Sequence, residues 1–394
     1  MSFPRNPFTP GAGKIPAVMG RRVQIEGQLQ DILKRLRSSE PKSHMAFLYG
    51  PRGNGKTVLL YWMILQAERE PGQGEKRITV LDLTPQDVKS RDDLSDRIKG
   101  AGHRWLPSWW TQSPKIGATG WGFGVSYASG SDKTLRALRS WLARSKNPVL
   151  VTLDEAHEAN PDVLGEILNA VQHAGLRRPV AVVFAGTPGL AYILSRAHAT
   201  FWSRERKLPV GLLSPEAAQE VISEPFLSAG LKVDPAALMA LAEAADRYPY
   251  FLQLYGEAAW KVVEASGGRA LSPEHVPLAK QAASRRRNSY YVDRYGEFEN
   301  NDLELLARDV ALEFRKRGGE LNPTQLNHLL KNHDGEKAEL REFLVSVGYI
   351  WRDQEDSTTW TPGIPSLMEF MIDMTPGENI RAKELMPEED TRST

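Results

Sequence analysis

The segment Gly50-Pro51-Arg52-Gly53-Asn54-Gly55-Lys56-Thr57 constrains this chain more than any other stretch. It satisfies G-x-x-x-x-G-K-[ST] in full. An apolar run, Met45–Tyr49, precedes it, and a helical pattern through Leu59, Leu60, Trp62 and Ile64 follows. Strand, glycine loop and helix in that order turn consecutive backbone N–H groups into one cavity, a curl that glycine tolerates best. The helix starting at Lys56 adds the positive end of its dipole. Such a cavity suits a polyphosphate, so ATP or ADP is expected on Gly50, Pro51, Arg52, Gly53, Asn54, Gly55, Lys56, Thr57 and Val58. Lys56 should reach the β- and γ-phosphates, and the Thr57 hydroxyl should ligate Mg²⁺.

Further apolar runs follow at Ile78–Leu83, Val149–Leu153 and Val180–Ala185, separated by helical patterns. Short continuous runs of this kind predict parallel strands buried on both faces, hence an α/β domain over 1–212. The third run ends in Asp154-Glu155. Hydrolysis needs a carboxylate for the metal and another to polarise water, and this pair supplies both: Asp154 for Mg²⁺, Glu155 for the attacking water. An isolated acidic turn would be bland; beside a full phosphate loop it reads as functional. Asp154-Glu155-Ala156-His157 is also a helicase spelling, but no second α/β domain follows to close a helicase cleft, and His157 is expected as a surface residue at a helix start.

Beyond about residue 212 the pattern turns helical. Ser214-Pro215, Asp234-Pro235, Ser272-Pro273 and Asn322-Pro323 each place a capping side chain before a proline suited to a first helical turn. The expected order is a helical lid at 213–283, an Arg-rich connector at 284–300 and a winged-helix-like unit at 301–374. A polar, acidic tail at 375–394 is expected to be disordered.

With these residues in place, the chain resembles the AAA+ ATPases, nearest the origin-recognition and initiator branch and the related STAND-type signalling ATPases. The resemblance covers about 14–280. It implies a P-loop NTPase fold with an all-α lid, and it gives roles to further residues. Ile15-Pro16-Ala17-Val18-Met19-Gly20-Arg21 is similar to the segment lying over adenine, which implies contacts from Val18, Gly20 and Arg21. Thr187 matches the polar sensor that positions water near the γ-phosphate, with a helix N-cap as its alternative role. Phe201-Trp202-Ser203-Arg204-Glu205-Arg206, before an expected strand at Leu208–Leu213, resembles the region giving an arginine finger to a neighbouring subunit, Arg204 first and Arg206 second. Sensor 2 departs from the family pattern. Arg247-Tyr248-Pro249 resembles the G-x-P element of STAND proteins, with Arg247 where glycine is expected and Pro249 beside the nucleotide.

Two regions stay open. Trp121, Phe123, Val125 and Tyr127 alternate with small residues in a 104–130 insert, the period of a strand with an aromatic face, and a packed hairpin is favoured over a nucleic-acid platform. The winged-helix-like unit invites DNA, yet between Glu320 and Asp373 four basic residues stand against ten acidic ones. Phosphate repulsion disfavours duplex binding there, and Arg285-Arg286-Arg287 is the better DNA candidate. A formal net charge of +1 gives no global argument for nucleic acid or membrane. The chain has no cysteine, which removes disulfides and thiol chemistry, and no run reaches the 18 or so apolar residues of a membrane span. A cytoplasmic ATPase switch acting on a protein partner or on copies of itself is therefore expected. A DNA-associated loader and a nucleotide-bound scaffold without turnover are the alternatives.

Overall fold

Strands covered on both faces are largely apolar, and the four runs that read this way pair in one sheet. The computed structural model describes residues 3–11, 15–38, 40–100, 131–197, 205–298, 301–354 and 357–373. The 104–130 insert and the 375–394 tail lie outside these. The chain divides into two compact units, one of Val23–Tyr49 and Lys56–Leu208, the other of Met1–Arg22, Gly50–Gly55 and Pro209–Thr394.

The α/β unit runs α1 (Val23–Arg37), β1 (Lys42–Tyr49), α2 (Lys56–Glu68), β2 (Thr79–Leu83), α3 (Arg91–Gly100), α4 (Ser131–Arg144), β3 (Val149–Leu153), α5 (Pro161–Gly175), β4 (Pro179–Gly186), α6 (Leu190–Arg196) and β5 (Arg206–Pro209). The sheet order is β2-β3-β4-β1-β5. The β1–β4, β3–β4 and β2–β3 pairings are parallel, with Tyr49 opposite Gly186 and Leu153 opposite Phe184. Strand periodicity divides the side chains cleanly. Met45, Phe47, Leu83, Val151, Leu153, Val182 and Phe184 join one core with Leu164, Ile167, Val171 and Leu190. The intervening Ala46, Leu48, Leu150, Ala181 and Val183 are fully buried on the opposite face. α5 starts where Asn160 accepts hydrogen bonds from the Asp162 and Val163 N–H groups, with Pro161 at its first position.

The helical unit contains α7 (Pro215–Ser228), β6 (Lys232–Val233), α8 (Pro235–Ala244), α9 (Pro249–Ala265), β7 (Ala270–Leu271) and α10 (Val276–Tyr295). After these come α11 (Asn301–Lys316), α12 (Pro323–Leu330), α13 (Lys337–Ser346), β8 (Ile350–Trp351), β9 (Thr361–Pro362) and α14 (Leu367–Asp373). Ser214, Asp234 and Asn322 cap α7, α8 and α12 as their sequences require. Ser272 instead heads a single 3₁₀ turn before α10. Three helices and an antiparallel β8–β9 pair make up the terminal module, and α14 was not expected. The stretch 284–300, expected as a connector, is mostly the second half of α10. The proline-rich lead-in is extended yet docked. Phe8 is buried against Phe226 and Trp260, and the Trp260 Nε1–H donates to the Pro4 carbonyl. Among the described residues no helix is long and apolar enough to cross a membrane.

Phe184 is fully buried, its ring 6.1 Å from that of Phe47. Phe184→Ala should therefore cost about 3–5 kcal/mol, and Asn160→Ala, which removes only a cap, about 1 kcal/mol. Urea unfolding midpoints should rank the two variants in that order.

Candidate functional site

In the α/β unit the polar residues gather at the carboxyl ends of the strands, where backbone pairing stops and side chains replace it. Lys56 and Thr57 open α2, Asp154 and Glu155 follow β3, and Thr187 follows β4. Lys56 is buried. The Asp154 carboxylate accepts from the Thr57 hydroxyl and, at Oδ1, from the Glu155 N–H at 2.9 Å. Burial pushes the Asp154 carboxyl above its ordinary range. The Thr57 hydrogen bond opposes this, the Glu155 charge adds to it, and Lys56 opposes it more weakly. A carboxylate held this way, one hydrogen bond from a threonine hydroxyl, is a hard oxygen pair that a divalent cation would relieve, so the donor set fits Mg²⁺.

Glu155 adopts φ 49°, the left-handed region that a side chain other than glycine occupies at a cost of about 1–3 kcal/mol. This turn carries the chain from β3 into a 3₁₀ segment, Ala156–Glu158, and aims Glu155. His157, expected on the surface, has a side chain only 12% exposed. Its Nδ1 accepts the Thr187 N–H at 3.3 Å, which assigns the neutral tautomer with the proton on Nε2. The same Nδ1 lies 3.3 Å from Glu155 Oε2, a distance that becomes an ion pair only when the ring is protonated. His157 thus ties the Glu155 turn to the end of β4. Thr187 is fully buried, and among the described residues its Oγ1 has no hydrogen-bond partner. It does not cap α6, whose N-cap is Gly189. A buried hydroxyl without a partner is costly, and a bound water or ligand is the usual reason one persists.

In the helical unit the loop Gly50–Gly55 is tied to its surroundings by groups that sequence patterns do not reveal. Gly53 (φ 77°) and Gly55 (φ 85°) take left-handed turns. A Cβ on Gly50 would stand 2.4 Å from the Val210 carbonyl oxygen and 3.4 Å from Trp351 Cζ3. On Gly53 it would meet the Tyr248 hydroxyl at 2.4 Å. Asn54 is buried and donates from Nδ2 to the Val210 carbonyl at 2.9 Å. Arg22 Nη2 donates to the Asn54 carbonyl at 2.9 Å and the Gly211 carbonyl at 2.7 Å. These bonds explain why the strand expected at Leu208–Leu213 stops at Pro209. The backbone carbonyls beyond it serve the loop, and the Leu213 N–H goes to the Arg247 carbonyl.

The remaining expected residues fall as follows. Pro51 is buried, Arg52 and Val58 are half-buried, Val18 is half-buried, and Arg21 is exposed. Gly20 packs too closely for a side chain, since its Cβ would lie 2.5 Å from a Leu213 methyl and 3.0 Å from Val221 Cγ2. Arg22, one residue further on, makes the loop contacts and was not singled out. Arg247 takes φ 55°, so an arginine adopts the backbone that the G-x-P glycine would provide, and Pro249 begins α9. Arg206 is engaged within the α/β unit, donating to Asp31 Oδ2 at 2.6 Å and to the Gln28 carbonyl at 3.0 Å. Arg204 lies outside the described residues. His157 was misassigned because its burial depends on β4, which is distant in sequence. Tyr248 and Trp351 carried no local signal for a loop contact.

Gly53→Ala combines a positive φ with a clash on Tyr248. It should lower stability by about 1–3 kcal/mol. Gly55→Ala has open space around its Cβ and meets only the backbone cost. Thermal unfolding of the two variants without nucleotide should separate these effects.

The family model of the AAA domain matches residues 41–194. The ORC2 protein of Aeropyrum pernix, solved in ADPNP–ADP complexes, superposes with a TM-score of 0.56 at 15% identity, covering 95% of this chain and 98% of that one. A Walker-type ATPase of Pyrococcus abyssi superposes with a TM-score of 0.53 at 15% identity, covering 90% and 96%. No curated protein sequence matches the chain. With its five-stranded sheet, complete phosphate loop and helical lid, the chain contains an AAA domain and has the fold of the initiator-like AAA+ P-loop ATPases.

Proposed function

We propose that this chain binds ATP through Gly50–Thr57, hydrolyses it with Mg²⁺ and uses the nucleotide state as a switch acting on a protein partner or on further copies of itself. The observation that carries this reading is the polar group at the strand ends: buried Lys56, the half-buried, hydrogen-bonded Thr57–Asp154 pair, half-buried Glu155 in a left-handed turn, and the buried Thr187 hydroxyl, which has no hydrogen-bond partner among the described residues. Two of these features cost stability that a bound ligand would offset: the left-handed backbone of Glu155 and the buried Thr187 hydroxyl.

Thr57 and Asp154 would hold the Mg²⁺, which when bound would offset phosphate charge. Among the described residues no group of three histidine or carboxylate side chains could hold a metal ion, which supports a cation held mainly through phosphate and water. Lys56 neutralises phosphate charge from a water-poor position, where its effect is strongest. Glu155 accepts a hydrogen bond from the attacking water and orients it, with its backbone set by the strained turn. Thr187 Oγ1 supplies a second hydrogen bond to that water or to the γ-phosphate.

The partner is proposed to be protein rather than duplex DNA. Glu336 and Glu339 are exposed at the start of α13, the helix that would face a major groove if the terminal module were a DNA-reading winged helix. Fluorescence anisotropy with labelled duplex at low salt should show no binding that falls as salt rises. Steep salt-dependent binding would favour the DNA-associated loader instead.

Lys56→Ala should lose at least tenfold in ADP and ATP affinity, whereas Glu155→Gln should bind ATP normally and release phosphate about 10²–10³-fold more slowly. Equal inertness of wild type and Glu155→Gln would leave a nucleotide-bound scaffold as the better account. Thr187→Val removes a hydroxyl with no partner among the described residues, so its melting temperature should be unchanged or higher. Its phosphate release should nevertheless fall by about tenfold or more. A stability loss without a rate loss would assign Thr187 a purely structural part.

A further inference from the structure

A phosphate loop is a row of backbone donors with little internal bonding to keep it curled, so neighbouring groups must fix its peptide planes. In this chain the carbonyl of Arg52 is fixed by Tyr248, whose hydroxyl donates to it. The peptide linking Arg52 and Gly53 is planar and trans, so its C=O and N–H point in opposite directions. Anchoring the Arg52 oxygen on the Tyr248 phenol therefore directs the Gly53 N–H away from that phenol. Gly53 has no side chain where the phenol lies, since a Cβ there would approach Tyr248 Oη to 2.4 Å and Cζ to 2.8 Å.

Tyr248 is itself immobilised. It is fully buried, its ring is 4.7 Å from that of Phe251, and its oxygen is 3.1 Å from the Tyr290 hydroxyl. Burial raises the Tyr248 phenol well above its usual range, so it keeps its proton to donate at any working pH. The side chain of Arg52 is held near the same wall. Glu297 feels the Arg52 charge after that of Arg294, with which it pairs at 2.5 Å. The terminal module completes the wall one turn of chain earlier. Trp351 lies within 3.4 Å of the Cβ positions of both Gly50 and Gly211, and Pro51 Cγ lies 3.2 Å from that of Gly363.

We propose that Tyr248 is a positioning residue for the nucleotide site, setting the orientation of the Arg52–Gly53 peptide so that the loop is preorganised for phosphate, with Trp351 as the second wall. The inference rests on the nucleotide reading above and deepens it. It makes the lid and terminal module part of what sets nucleotide affinity, so a partner that shifts either one would change nucleotide release without touching the catalytic carboxylates.

The test uses the full chain and a fluorescent N-methylanthraniloyl ADP, reading dissociation rate alongside KM and kcat for ATP. Tyr248→Phe keeps the ring and removes the donor. It should raise the ADP dissociation rate and KM about fivefold, the scale of one hydrogen bond, with kcat within about twofold. Tyr290→Phe removes the same hydroxyl pair from the side away from the loop and should leave both within about twofold. Trp351→Phe shrinks the second wall and should raise the dissociation rate in the same direction, which keeps the test open if Tyr248→Phe folds poorly. Equal effects of Tyr248→Phe and Tyr290→Phe, or no effect of Tyr248→Phe and Trp351→Phe while Lys56→Ala abolishes binding, overturn the positioning role alone. Undiminished binding by Lys56→Ala overturns the nucleotide reading and this inference with it.

Discussion

The phosphate loop depends on space as much as on hydrogen bonds. Gly50 and Gly53 are required because the Val210 carbonyl and the Tyr248 hydroxyl stand where a Cβ would be. The groups that close on them come from four distant stretches: Arg22 in the lead-in, Val210 and Gly211 after β5, Tyr248 before α9, and Trp351 in β8. Most loops run over a surface and are free to vary. This one is packed against and hydrogen-bonded to distant parts of its own chain.

The α/β unit spends stability at the same motif. A buried hydroxyl with no partner among the described residues and a left-handed glutamate are each unfavourable relative to a packed apolar core. The surrounding sheet tolerates them because its strands are apolar on both faces and its core is continuous from Phe47 to Phe184. Local rules place the strands but not His157, whose burial depends on β4, distant in sequence. Nothing in a surface-exposed helix start would call for an imidazole accepting the Thr187 N–H.

The lid and terminal module are joined by polar contacts as well as by packing. Ser366 donates to Asp246 at 2.8 Å, and the Tyr291 hydroxyl donates to the Pro365 carbonyl at 3.0 Å. Asp246 and Arg247 both take positive φ, an uncommon pair of left-handed residues that turns the chain from α8 into Tyr248. The tyrosine that meets the loop is thus delivered by a bend to which the terminal module is bonded directly. Between Glu320 and Asp373 ten acidic residues stand against four basic ones, and the basic stretch Arg285-Arg286-Arg287 is folded into α10.

The amino-acid sequence by itself determined the motif, the parallel α/β layer, the two carboxylates and the capped helices. Each follows from chemistry within a few residues: glycine's freedom at a curl, apolar runs that must be buried, an acidic pair at a strand end, a proline after a capping side chain. Tertiary structure alone decided that Arg22 rather than Arg21 grips the loop, that residues 210–213 give up their strand to it, and that 284–295 is helix. It also decided that Arg206 is paired with Asp31 and that Tyr248 and Trp351 wall the glycines. These are contacts between residues far apart in the chain, and no periodicity or local pattern encodes which distant side chain will occupy the space that a missing Cβ leaves.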